Sequence, residues 1–355
     1  MTRTATAAGP TPTAPRRRAR SGRTIAAGIV LSVVLLLSIV TAVAIGPAEL
    51  SISEVWASVQ AHLTGTDSPL TATRNAIVWE LRLPRVLTAA FVGAGLALCG
   101  GIMQALLRNP LADPFLLGLS SGSSLGAVIV LLLGVSVLLP VAAFAGALAA
   151  LVATLILAGS LGRITPTRTV LAGLAVSSFT GALTSLVIFW AVTGDSYREI
   201  LNWLLGSLAG ARWPAVVIAG VAFLVVGTPL MFSGRILDAF VLGDTAAAAL
   251  GVPVQGARWV LLAGSALLTG AMVSVSGSIG FVGLVLPHAV RLLLGPGNRA
   301  LLPLSALAGG VFLVWADTIA RTVFDPRELP VGIVTALTGA PVFAALLVRR
   351  RGEAA

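Results

Sequence analysis

The sequence predicts an all-α polytopic membrane protein with about ten transmembrane helices. Two properties of the 355-residue chain indicate this fold class: 57% of its residues are hydrophobic and only 10% are charged, whereas about 25% are charged in a typical soluble domain. A third is the recurrence of apolar runs of roughly 20 residues, the length that crosses hydrocarbon as a helix with every backbone hydrogen bond made internally. Lipid is therefore expected to be the main solvent of this chain.

Ten apolar runs, separated by polar residues and helix breakers, are the predicted spans. Their ranges are 25–46, 84–107, 115–134, 137–160, 168–193, 213–233, 256–279, 280–294, 300–324 and 331–348. Glycines and serines interrupt 256–294, so this part predicts either two spans or one long broken helix. Both termini are rich in Arg, which accumulates on the cytoplasmic side of membranes. Two cytoplasmic ends require an even number of crossings, as ten spans provide.

The first residues carry a basic segment. Residues 1–24, with five arginines between Arg16 and Arg23, are predicted to be a disordered cytoplasmic tail, and residues 349–355 a second cytoplasmic tail. A signal peptide has a similar layout, but its apolar core spans about 7 to 15 residues, and the run from Ile25 to Ile45 is longer. We therefore expect an uncleaved first span and a single ten-helix domain over 25–348.

The residue types argue against several functions. The formal charge of +10 is not expected to bind nucleic acid, because the arginines flank apolar spans instead of covering a soluble face. All 23 basic residues are Arg, so the phosphate-gripping lysine of a Walker A loop is missing. Cys99, His62 and His288, the only residues of their types, argue against a disulfide framework and a metal site. The sequence predicts no catalytic residue, no metal and no cofactor bound by this chain.

Two connections are long enough to have structure of their own. The outer segment 47–83 contains an amphipathic stretch from Ile52 to Leu63, predicted to be a short helix on the membrane surface. The inner segment 234–255 is too polar to span. It predicts two short helices, Ile236 to Leu242 and Thr245 to Leu250, each ended by a glycine.

Three segments carry a resemblance to a known family. Residues 81–122 read LRLPRVLTAAFVGAGLALCGGIMQALLRNPLADPFLLGLSSG, residues 280–321 begin GFVGLVLPHAVRLLL and end ADTIAR, and ELPVGIVTALTGAPVFAALL follows at 328–347. Together and in this order they closely resemble the FecCD-type permease subunits of ABC importers for ferric siderophores, haem and cobalamin. The resemblance extends over nearly all of residues 25 to 348.

The resemblance implies several partner subunits. It implies a second permease subunit, identical or homologous, two ATP-binding-cassette subunits that bind ATP and Mg²⁺, and a substrate-binding protein on the outer face. A ferric siderophore is the expected cargo, with haem or cobalamin as alternatives in the same family. The expected location is a bacterial plasma membrane, with both termini in the cytoplasm.

The resemblance also assigns roles to residues of the inner segment. Residues 237–251 look like the family's coupling helices, which fit into a groove on the ATPase. A solvated loop is the alternative, but such a loop has little reason to expose several apolar residues together. The expected coupling residues are Leu237, Asp238, Leu242, Gly243, Ala247, Leu250 and Gly251.

Arginines near the outer ends of two spans match positions that dock the binding protein in the family. These are Arg82 and Arg321, with Arg85 as a weaker candidate that could instead be structural. Arginine suits docking because guanidinium groups form bidentate pairs with carboxylates. Arginines at helix ends can also simply reach toward the interface. The loops expected to form the cytoplasmic gate contribute Asn109, Leu111, Thr165 and Thr167, with plain turns as the alternative.

One ionisable residue interrupts an apolar run. Asp317 lies four residues before Arg321, which predicts an i,i+4 ion pair. An ion-coupled secondary transporter, the rival functional class, needs ionisable groups at the membrane midplane and paired broken helices. A membrane enzyme needs a nucleophile, a metal cluster or a general base, and the spans offer no such set. Both classes are therefore disfavoured.

Overall fold

Helices form every regular element in residues 15–160, 165–191, 194–295 and 297–353, which are the residues that the computed structural model describes. In chain order they are α1 (Pro15–Ala44), α2 (Ile52–Thr64), α3 (Ala72–Ala76), α4 (Leu83–Leu106), α5 (Leu119–Leu132), α6 (Leu139–Ser160), α7 (Pro166–Ala191), α8 (Gly194–Leu204), α9 (Trp213–Ala222), α10 (Thr228–Met231), α11 (Gly234–Val241), α12 (Asp244–Ala249), α13 (Val254–Ser276), α14 (Val282–Leu294), α15 (Asn298–Thr322) and α16 (Val331–Glu353).

The predicted all-α membrane fold is confirmed. Among the described residues, seven helices are long and apolar enough to cross a membrane, and three shorter apolar helices, Leu119–Leu132, Val282–Leu293 and Val331–Ala345, fall where the remaining spans are predicted. The ambiguous range 256–294 contains two helices, α13 and α14. Gly277 and Phe281, both at positive φ, bracket the break between them.

Two π-helical turns join helices into longer rods. Ile77–Arg82 connects α3 to α4, and Phe223–Gly227 connects α9 to α10. Each turn shortly precedes a proline, Pro84 or Pro229, whose ring has no N–H to donate to the ordinary helical ladder. The predicted second span, 84–107, is therefore the carboxyl-terminal part of a continuous helix, Ala72–Leu106.

The predicted disorder of residues 1–24 is corrected for its second half, because α1 begins at Pro15. Residues 15–24 include five arginines. Arginine favours helix, and the apolar run that follows provides a helix for this segment to extend. Residues 1–14 lie outside the described residues. The second tail also begins as helix, since α16 continues to Glu353.

Two of the connections predicted to lie outside hold helices. The predicted helix in 47–83 is α2, which begins with a capping box between Ser51 and Glu54. The sequence did not predict α8, which lies between α7 and α9. Its 11 residues are too few to cross a membrane, and its polar composition hides it from a search for apolar runs.

The centre of the fold is the antiparallel packing of α4 against α15. Nearly every residue of α4 is buried. Gly93 and Gly309 face each other at the crossing, so that a Cβ on either would overlap the backbone carbonyl of the other. A second close approach joins Gly100 of α4 to Gly283 of α14. Small residues permit this contact, which supplies the van der Waals packing that holds membrane helices together.

We predict that Gly93→Ala lowers the free energy of unfolding by about 1–3 kcal/mol, the usual range for overpacking. Thermal unfolding of the purified protein in detergent measures the change. Gly159→Ala on α6 is the matched control, because its added methyl group meets nothing within 4 Å and alanine favours helix over glycine by about 0.5–1 kcal/mol. An unchanged Tm for Gly93→Ala would contradict the tight crossing.

Candidate functional site

The three predicted docking arginines converge where the ends of α1, α4 and α15 meet. They line an open cleft of about 300 Å³ together with Arg212 and Glu328. All three are buried. The structure thus brings together residues from distant parts of the sequence and concentrates positive charge at one end of the helix bundle.

Two of these arginines satisfy the carboxyl end of α1. Arg82 donates to the carbonyl oxygens of Val43, Ala44 and Ala48 at 3.1, 2.9 and 2.7 Å, and Arg321 donates to the carbonyl of Ala42. The last carbonyls of a helix lack intrahelical donors and carry partial negative charge, so cations stabilise them. Both guanidinium groups therefore have a structural role whether or not they dock a partner.

The ion pair of Asp317 differs from the prediction. Asp317 pairs with Arg85, whose Nε and Nη2 donate to its carboxylate at 2.8 and 3.0 Å, and the i,i+4 partner Arg321 bonds α1 instead. Arg85 Nη1 also donates to Glu328 at 2.6 Å. Bidentate geometry across the α4–α15 contact satisfies both buried charges better than a single contact along one helix.

Arg212 is the residue of this cleft that the sequence did not indicate. It lies immediately before α9 and is exposed. Its guanidinium Nη1 donates a hydrogen bond of 3.1 Å to the carbonyl of the neighbouring Ala211. The sequence signal that could have indicated it is an arginine directly before Trp-Pro at a helix start. Its position in the cleft depends on the packing of α9 beside α4, which the sequence alone does not specify.

The opposite end of the bundle holds α11 and α12, the two short helices of the inner segment. Leu237 and Ala247 are fully buried, and Asp238 accepts hydrogen bonds from the backbone N and the side-chain Nδ2 of Asn298, at 2.8 and 2.9 Å. Asn298 is the first residue of α15. These contacts fix α11 to the start of α15, the helix that carries Asp317 near its other end.

The remaining expected coupling residues face outward. Leu242 and Leu250 are 68% and 65% exposed, and each is followed by a glycine at positive φ, Gly243 and Gly251. Glycine adopts this conformation without strain, and it turns the chain sharply so that each leucine stands at the tip of its helix. The result is an exposed apolar surface on a short helical pair, of the kind that marks an interaction site.

The first predicted gate loop follows α4. Asn109 Oδ1 accepts a hydrogen bond of 2.9 Å from the backbone N of Leu111, which closes a compact turn and leaves the Leu111 side chain exposed. Asp113 then accepts from the backbone N of Phe115 at 2.8 Å and caps the short helix Pro114–Leu117. Burial raises the pKa of Asp113 to about 6, against the lowering effect of this hydrogen bond.

The second predicted gate loop precedes α7. Residues 161–164 lie outside the described residues, and Thr165 accepts from the backbone N of Arg168 at 3.4 Å, with Pro166 as the first residue of α7. Threonine before proline is a favoured helix start. Thr167 is exposed on the first turn. Thr165 lines an open cleft of about 650 Å³ with Asp244 and Thr245 of α12.

A recess between α5 and α7 is the third feature of the site. Its volume is about 350 Å³, and hydroxyl groups provide most of its polar surface: Ser120, Ser121, Ser124, Ser177 and Thr184. Several of them donate to carbonyls of their own helices, which makes them tolerable at membrane depth. The described residues hold no group of three or more potential metal ligands.

Comparisons with known proteins identify relatives of this chain. The sequence matches the FecCD transport family over residues 34–349. It is 43% identical to an uncharacterized ABC transporter permease of Bacillus subtilis, over 94% of this chain and 96% of that protein. It is also 43% identical to the vitamin B12 import system permease of Vibrio cholerae, over 84% and 89%, and 42% identical to the hemin transport system permease of Yersinia pestis, over 80% and 87%.

A solved structure supports the same relationship. It is described as a metal-chelate type ABC transporter in an inward-facing conformation, and it superimposes with a TM-score of 0.80 at 31% identity, covering 91% of this chain and 98% of that one. The chain therefore belongs to the FecCD transport family, as a multi-pass permease subunit of an ABC importer.

Proposed function

We propose that this permease moves a ferric siderophore across a bacterial plasma membrane, with both of its termini in the cytoplasm. A second permease subunit, two ATPase subunits and an outer binding protein would complete the importer. The observation that carries the proposal is the separation of two sites to opposite ends of α4 and α15. The arginine cleft lies at one end, and the exposed leucines of α11 and α12 lie at the other.

The hydroxyl-lined recess between α5 and α7 supports a polar cargo. Its serine and threonine hydroxyls can donate to or accept from the oxygen atoms of a chelate without binding it tightly. Sites with weak, distributed polar contacts suit a pathway from which the cargo must leave. Among the relatives, one is named an Fe(3+)-citrate import permease, which supports an iron chelate as cargo.

Haem and cobalamin are the second candidates, and specific observations favour them. Relatives of this chain are named as hemin and vitamin B12 permeases, at 42% and 43% identity. An ion-coupled mechanism gains no comparable support, because Asp317 is neutralised by its pair with Arg85.

Uptake by the reconstituted importer tests the proposal directly. The chain is placed in vesicles with its candidate ATPase and binding protein, and radiolabelled ferric siderophore, haem and cobalamin are offered in turn. We expect ATP-dependent uptake of the siderophore in preference to the other two. Preferential uptake of haem or cobalamin would overturn the siderophore as the proposed cargo. Uptake driven by an ion gradient without ATP would contradict the importer mechanism.

A charge at the exposed tip of α11 tests the coupling role. We expect Leu242→Glu to weaken association with the ATPase by about tenfold or more, the equivalent of about 1.4 kcal/mol, because a carboxylate would enter an apolar contact. Copurification of the ATPase measures association. Leu63→Glu is the control, since Leu63 is 75% exposed on α2 at the outer end, and equal losses in both variants would refute the assignment.

Substitutions in the arginine cleft test whether it docks the binding protein. We expect Arg212→Glu to raise the Kd for the binding protein by about tenfold, which corresponds to about 1.4 kcal/mol, with no change in Tm, because Arg212 is exposed. Arg82→Ala should instead lower the Tm, since it leaves carbonyls of α1 without donors, at about 1–3 kcal/mol for a buried group. Binding titrations at two salt concentrations and thermal unfolding separate these effects.

Arg198→Glu on α8 is the control for this experiment, because Arg198 is exposed and lies outside the cleft residues. Docking through the cleft predicts unchanged affinity in the control and a weaker salt dependence in Arg212→Glu. Wild-type affinity in Arg212→Glu would remove this arginine from the docking surface.

A further inference from the structure

A cluster of three charged residues lies between the first predicted gate loop and the predicted coupling helices. Asp244, the first residue of α12, receives a hydrogen bond of 2.5 Å from Arg108 Nη2. Arg258 Nη2 donates to both oxygens of the same carboxylate, at 2.8 and 3.0 Å. One carboxylate therefore joins the end of α4, the start of α12 and the second turn of α13.

The two arginines differ in how firmly they are held. The side chain of Arg258 is only 3% exposed, and its guanidinium lies 5.3 Å from the ring centroid of Phe240, a fully buried residue of α11. This cation–π contact and the two hydrogen bonds from Nη2 to the Asp244 carboxylate fix Arg258. Arg258 therefore fastens Asp244, and α12 with it, to α11 and α13 as one unit.

Arg108 is held loosely by comparison. Its side chain is 39% exposed, and its backbone adopts φ of 50°, a left-handed conformation that is uncommon outside glycine. The nearest atom to a Cβ built on Gly243 is Arg108 Nη1, at 3.7 Å. An ion pair this exposed is weak and can break and re-form, so the contact between the gate loop and α12 is the part of the cluster able to switch.

The position of Arg108 links it to both predicted gate loops. Arg108 directly precedes Asn109, and the backbone N of Asn109 donates to Gln104 of α4 at 3.1 Å, so a shift of Arg108 acts on the first turn of this loop. Asp244 also lines the cleft that contains Thr165 of the second loop. α12 is therefore the element that contacts one predicted gate loop and faces the other.

We propose that Asp244 and Arg108 are positioning residues that transmit movement of the coupling helices to the cytoplasmic gate. When the ATPase moves α11, α12 and the start of α13, Asp244 carries Arg108 and the 108–113 loop with it. Breaking the pair leaves the ATPase attached but disconnects its motion from the gate. This inference rests on the proposed function and assigns two residues that the family resemblance did not.

The coupling ratio, the number of cargo molecules transported per ATP hydrolysed, measures this role. Arg108→Ala and Asp244→Asn are expected to lower the ratio by about fivefold or more, the lower end of allosteric coupling, while the ATPase still copurifies. Arg108→Lys, which keeps the charge, should recover most of the ratio. The double variant should lose no more than Asp244→Asn alone, because Arg108 acts through its contact with Asp244.

Arg74→Ala is the matched control, since it breaks another exposed ion pair, with Glu54 of α2 at the outer end, and should leave the ratio unchanged. If Arg108→Ala proves unstable, Arg108→Gln replaces it, and a fall in Tm parallel to the fall in the ratio would indicate a structural role and overturn the proposal. Multiplicative losses in the double variant would overturn it as well.

Gate movement gives a second readout. In a Cys99→Ala background, a cysteine placed by Leu111→Cys should react with a maleimide at a rate that changes when ATP is added, and Arg108→Ala should abolish the change. Wild-type coupling and a normal ATP response in Arg108→Ala would overturn this inference alone. Failure of the unmodified importer to transport with ATP would instead overturn the proposed function, and the inference with it.

Discussion

The backbone contact between Gly93 of α4 and Gly309 of α15 determines how the two ends of the molecule relate to each other. A side chain on either glycine would collide with the backbone carbonyl of the other. The two helices therefore pack as closely as their backbones allow. Antiparallel packing at this distance fixes the register along their whole length. The start of α4 then meets the end of α15, and the end of α4 meets the start of α15.

Each end of this helix pair supports one of the two sites. Where α4 begins and α15 ends, Arg85 and Asp317 pair across the contact, and Arg82 and Arg321 reach the last carbonyls of α1. At the opposite end, Asn298 of α15 holds Asp238 of α11, and Arg108, just beyond α4, holds Asp244 of α12. These polar contacts lie where helix ends leave backbone groups or charges that need partners.

Much of this fold could be predicted from the sequence because the membrane imposes strong local rules. Apolar length located the spans, and the glycines at 243 and 251 located the ends of α11 and α12, since both signals depend only on neighbouring residues. The resemblance added the candidate residues. The inner-segment helices occur as predicted, whereas their contact with an ATPase and the docking and gating roles stay predictions.

Features that depend on tertiary packing could not be predicted from the sequence. The partner of Asp317 is 232 positions away, so the nearest arginine along the helix was the wrong choice. Arg212 joins the outer cleft only because α9 packs beside α4, and α8 has too little apolar length to stand out. The π-helical turns before Pro84 and Pro229 depend on backbone adjustments that hydrophobic periodicity does not register.

The central claim is that the arginine cleft and the coupling helices lie on opposite faces of the membrane, joined by α4 and α15. Cysteine labelling in whole cells tests it most directly, in a Cys99→Ala background with either Leu63→Cys on α2 or Leu250→Cys after α12, both exposed positions. The account predicts that a membrane-impermeant maleimide labels the Leu63→Cys protein in intact cells and the Leu250→Cys protein only after permeabilisation. Labelling of both proteins in intact cells, or the reverse pattern, would contradict it.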